Sequence, residues 1–77
     1  MTTERITLTA DPVQITDGTQ TAYVLADDGV FRFADSDSKP TDLTLSGAKA
    51  EATFSEPFVI WIWAGSGFGT TVTVLKR

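Results

Sequence analysis

Apolar residues in this chain recur at every second position, in short runs cut by turn-forming pairs, and nowhere at the spacing of an amphipathic helix. That period constrains the fold class first, because alternate side chains of a strand point to opposite faces. Arg5 to Thr9 alternates strictly, with Ile6 and Leu8 on one face, and the period resumes after Asp11-Pro12 in Val13 to Thr16. Thr21 to Asp27 predicts a strand apolar on both faces. Val30 to Ala34 predicts another, with Phe31 and Phe33 side by side. Leu43 to Leu45 reads as a short strand closed by Ser46-Gly47. Ala50 to Phe54 reads as a strand, although AKAEA also fits a helical turn. Phe58 to Ala64 has the strongest β propensity, and Thr70 to Leu75 closes the pattern with Val72 and Val74 inward.

The punctuation is equally regular. Asp17-Gly18 and Asp28-Gly29 each predict a tight hairpin, since glycine accepts the positive φ that such turns need. The glycines at 65, 67 and 69 predict a further hairpin turn, and Asp35 to Asp42, with Pro40, predicts an exposed polar loop. About seven to eight short strands without a helix predict an all-β fold, a small antiparallel β-sandwich or barrel built largely from hairpins. Residues 1–77 form one domain, with no linker or internal repeat.

A chain of 77 residues has little core to spare. Burying roughly 60% of its unfolded surface contributes about 110 kcal/mol, against about 115 kcal/mol for ordering the backbone and side chains. Small domains close that gap with disulfides, a metal or self-association. Cysteine and histidine are both absent, which removes disulfides and nearly removes structural zinc, so self-association is the expected route. The net charge of −4 and the scattered Arg5, Arg32, Lys39, Lys49, Lys76 and Arg77 argue against nucleic acid or an anionic membrane as partner. Nothing near Met1 resembles a signal peptide, and the longest apolar run, Phe58 to Ala64, is too short to span a bilayer. A soluble protein made in the cytoplasm is expected.

Motifs that carry chemistry fail on inspection. The 65–69 glycine cluster lacks the helix whose N-terminus makes a phosphate loop work, since β-branched Thr70-Thr71-Val72 follows. Ser66 lies between glycines, but a nucleophile elbow needs glycine where Ala64 stands, and no histidine exists to activate a hydroxyl. Asp27, Asp28, Asp35, Asp37 and Asp42 resemble a calcium loop only loosely: Lys39 falls on a ligand position, and the required glycine and final glutamate are missing. Solvated turns explain these carboxylates better. No catalytic residue, cofactor or metal site is expected.

The informative segment is Phe58 to Ala64. Phe58, Ile60 and Ile62 share one face; Val59, Trp61 and Trp63 share the other. A strand apolar on both faces is covered on both, and the sequence offers no helix as a cover. Three readings stay open. The tryptophans fold into the second layer of the domain's own sandwich, they form a subunit or partner interface with Val59 and the nearby Phe68, or they make a platform for a sugar ring. For the last, Gln14, Gln20 and Asp17 are nominal hydroxyl partners.

Arg5 to Thr16 (RITLTADPVQIT), Thr21 to Ala34, and Phe54 to Leu75 (FSEPFVIWIWAGSGFGTTVTVL) together resemble small bacteriophage structural proteins. The closing unit matches their "W-A-x-S-x-G-T-x-V-x-V" endings at Trp63, Ala64, Ser66, Gly69, Thr70, Val72 and Val74. The resemblance implies a non-enzymatic head-decoration, fibre, knob or connector-associated part. It also implies a virion location, a symmetric homo-oligomer, often a trimer, and contacts with other virion proteins. A small carbohydrate-binding β-sandwich is the alternative, and a regulator acting on a host protein through an acidic face is a third.

Overall fold

The computed structural model describes residues 2–65 and 69–77. They form eight strands: β1 (Thr2–Leu8), β2 (Val13–Gln14), β3 (Ala22–Ala26), β4 (Phe31–Asp35), β5 (Gly47–Lys49), β6 (Glu51–Phe54), β7 (Ile60–Ala64) and β8 (Thr70–Lys76). Two antiparallel four-stranded sheets pack face to face, the first in the order β1-β8-β3-β6 and the second in the order β2-β7-β4-β5. The small all-β sandwich read from the sequence is therefore present.

The connectivity is not the expected one. β1 pairs with β8, β2 with β7, β3 with β6 and β4 with β5, so the chain behaves as one long antiparallel ribbon folded over on itself. Two further pairings, β3 with β8 and β4 with β7, close each sheet. Eight strands in this order make a double-sheet jelly roll. Among the described strands, only β4 and β5 are consecutive and hydrogen-bonded.

The two Asp-Gly pairs therefore do not make hairpins. The local chemistry holds, since Gly18 (φ 95°) and Gly29 (φ 76°) both adopt the positive φ that suits glycine. Each turn nevertheless carries the chain from one sheet to the other. The reason is occupancy: both edges of β3 are already filled, by β6 and β8, leaving none for β2 or β4. The glycine segment after β7 likewise joins strands of different sheets, and residues 66–68 lie outside the described residues. Ala50 marks the place where the edge segment passes from β5 in the second sheet to β6 in the first. Strand structure at 51–54 agrees with the sequence reading. Leu43 to Leu45 is not a strand; Asp42 turns it by accepting bonds from the Thr44 N–H and hydroxyl.

Between the sheets lie Leu8, Ala22, Val24, Phe54, Val72 and Val74 from the first and Phe31, Ile60, Ile62 and Ala64 from the second, all buried. Ile15 joins them from the β2–β3 connection. Each large side chain so enclosed contributes on the order of 1.5–3 kcal/mol. The whole chain exposes 4616 Å², close to the ~4,600 Å² expected of a monomer of this mass. One copy thus completes a core of ordinary extent.

Candidate functional site

β7 lies between β2 and β4, so its outward side chains cross the middle of the second sheet. Trp61 stands opposite Gln14 and Ala34, and Trp63 opposite Arg32. This face is not open. After β4 the chain runs back over it as a single strap, residues 36–46, before returning to β5. Three attachments fix the strap. The Ser36 carbonyl accepts the Trp61 indole N–H at 2.9 Å, and the Ser36 N–H donates to the Val59 carbonyl at 2.9 Å. Farther along, Lys39 pairs with Asp11, beyond β7 in the β1–β2 connection. Leu43 and Thr44 then share a hollow with Trp63, Arg32 and Ala10. The Arg32 side chain lies against Gly65, where a Cβ would come within 2.7 Å of it.

Trp63 is consequently 2% exposed, buried by its own chain. Trp61 and Val59 are half-buried, and Phe68 lies outside the described residues. Of the three readings, enclosure within the chain's own fold holds for Trp63, with a loop as the cover in place of a second sheet, while Trp61 and Val59 stay half-buried. A polar loop with one proline and two leucines serves as the lid that a helix would otherwise supply. The two indoles also form no exposed platform: one is enclosed, and the other has its N–H engaged.

The open apolar surface lies elsewhere, at the end of the sandwich where the β4–β5 and β6–β7 connections meet. A cleft of about 470 Å³ opens there, with Phe33, Phe54 and Ile60 as its floor and Leu45 and Phe58 at its rim. Phe33 and Phe54 pack with ring centroids 5.0 Å apart. Gly47 makes room for this arrangement, because a Cβ there would lie 2.6 Å from the Phe33 ring. Phe58 is 49% exposed and Leu45 73% exposed, both large for apolar side chains outside a core. Asp35 and Ser46 supply the polar lining; one Asp35 carboxylate oxygen accepts the Val59 N–H at 2.8 Å. An apolar pocket with few polar groups can bury an apolar side chain or ligand moiety.

Sequence reading put Phe58 on one face with Ile60 and Ile62, and the two isoleucines do share the face that meets the core. It missed that Phe58 sits before β7 begins, past the end of the core. A signal was available in the two phenylalanines, Phe54 and Phe58, flanking Glu56-Pro57, since a break there ends one strand and frees the next residues. Leu45 gave none.

The electrostatics are local. Asp17 is held below the ordinary carboxylate value of 3.8 by the hydroxyl and N–H of Thr19, and Asp42 likewise by Thr44. Tyr23, on the outer face of the first sheet, donates to Glu51, which keeps its phenol above the ordinary value of 10.0. Among the described residues, no group of three or more acidic side chains is placed to hold a metal ion. No family model, curated protein or solved structure matches the chain.

Proposed function

We propose that this chain is a non-catalytic assembly domain of the virion type that its sequence resembles, joining copies of itself and neighbouring structural proteins. The observation that carries the reading is the apolar cleft rimmed by Phe58 and Leu45, a docking place for an apolar side chain with little polar lining. The sequence resemblance over residues 5–16, 21–34 and 54–75 supplies the virion context. Jelly rolls recur in viral capsid domains, an analogy of fold that supports the reading without carrying it. They recur in lectins too, but the sugar-platform alternative depends on exposed indoles, and Trp63 is enclosed.

The test is co-expression with the products of the genes flanking its own. A stable complex with a portal, capsid or tail protein, weakened at least ten-fold by Phe58→Ser combined with Leu45→Ser, is the expected result. Binding on a glycan array together with indifference to every flanking product would overturn the reading.

A further inference from the structure

Among the described residues, no segment crosses the outer face of the first sheet, where Thr3, Arg5, Leu25, Glu51, Thr53 and Leu75 are exposed, whereas the strap crosses that of the second. Its side chains form two rows that run across all four strands. One row reads Arg5, Thr73, Leu25, Glu51 from β1 through β8 and β3 to β6. The other reads Thr3, Leu75, Tyr23, Thr53. Leu25 and Leu75 are 40% and 36% exposed at the centre, and threonines and the charged Arg5, Asp27 and Glu51 surround them. An apolar centre with a polar rim is the usual anatomy of a protein interface.

The charges decide the partner. Arg5 and Glu51 occupy opposite ends of the same row. Consider a second copy related by a twofold axis lying in the contact plane, parallel to the strands and midway between β8 and β3. That axis reverses strand order, so β1 lies over β6 of the second copy and β8 over β3. Arg5 then meets Glu51 of the second copy and Glu51 meets its Arg5. Leu75 covers Tyr23, Thr73 covers Leu25, and Thr3 covers Thr53. An isologous contact requires such self-complementarity, and the row carries it in both charge and apolarity. Twisted sheets packed face to face lie within about 30° of alignment, which keeps the rows in register.

We infer that the outer face of the first sheet is where two copies of this chain meet, with paired Arg5–Glu51 contacts at both ends of the patch. The inference rests on the self-association part of the proposed function and assigns a surface to it. In a single copy Arg5 has an exposed partner, Asp27, at 3.6 Å, and Glu51 accepts from Tyr23. Both engagements are at the surface and leave donors and acceptors over. Strands of seven, seven, five and four residues, at about 3.3 Å per residue and about 4.8 Å apart, give a face of roughly 360 Å². Two such faces bury on the order of 700 Å², below the size of stable specific complexes, so the contact is weak and reversible.

Sedimentation equilibrium up to about millimolar concentration, at low and high salt, tests it. Wild-type protein is expected to show monomer–dimer exchange that weakens with salt. Arg5→Glu and Glu51→Arg should each weaken dimerisation about ten-fold or more, because attraction becomes repulsion at two places. The double variant should recover near wild-type affinity. Leu25→Asp, at the centre, should abolish dimerisation, and unfolding curves establish that each variant is folded. Association that ignores the single reversals, or a double variant that stays weak, overturns the assignment of this face while leaving self-association standing. A strict monomer at every concentration removes both.

Discussion

Thr16 shows how much of this fold one hydroxyl holds. It is buried, its Oγ donates to the Phe58 carbonyl at 2.8 Å, and the same oxygen accepts the Ile60 N–H at 2.9 Å. A residue in the β2–β3 connection thus closes the backbone at the start of β7 and positions Phe58 at the rim of the cleft. Thr16→Val keeps the shape but leaves a buried donor and acceptor without partners, at a cost of about 1–3 kcal/mol. Thr16→Ser retains both bonds and should lose much less; urea unfolding of the two variants checks the contrast. Tyr23 offers a second test, as the chain's single tyrosine. Its hydrogen bond to Glu51 raises its folded pKa above 10.0, so the stabilisation is complete below the unfolded value and is lost as pH rises through the folded one. Ultraviolet titration should place the phenol midpoint above 10.0, and Glu51→Gln should bring it down. Neither residue was singled out by its sequence context. Thr16 reads as one more position of an alternating strand, and the partners of both lie 42 and 28 positions away.

At the scale of elements, periodicity located the strands well and their partners poorly. β1, β3, β4, β7 and β8 fall where alternating apolar residues place them. Turn residues report φ, however, and φ does not say which sheet the next strand enters; Gly18 and Gly29 satisfy the hairpin signal and make arches instead. The strap over β7 was illegible for a related reason. DSDSKPTDLTLS reads as solvent-loving because its attachments are one backbone carbonyl, one backbone N–H and one lysine, and their counterparts Trp61, Val59 and Asp11 come from elsewhere in the chain. The cover can be checked by fluorescence. Trp61→Phe leaves Trp63 as the only indole and should give blue-shifted emission with little acrylamide quenching. Trp63→Phe leaves the half-buried Trp61 and should be quenched more readily. Truncating Trp63 to alanine empties the space beneath the strap and should cost about 3–5 kcal/mol, whereas Trp61→Phe, losing chiefly the bond to Ser36, should cost about 1 kcal/mol.

For the whole molecule, length and composition make self-association the expected route to stability, and one copy exposes 4616 Å², about what a folded monomer of this mass exposes. The unfolding midpoint should therefore be independent of protein concentration in the micromolar range, well below the weak contact inferred for the first sheet. Differential scanning calorimetry over a hundred-fold dilution checks this. The position of β8 has a different consequence. It is flanked by β1 and β3, in the interior of the first sheet, yet it is the last of the eight described strands to leave the ribosome. Until residues 70–76 emerge, β1 has no neighbour to pair with and β3 has only β6. Pairings as distant as Thr2 with Lys76 make collapse during synthesis unproductive and folding slow, in the millisecond-to-second range typical of non-local β topologies. A nascent chain stalled before Thr70 should remain protease-sensitive and gain resistance abruptly once β8 is free.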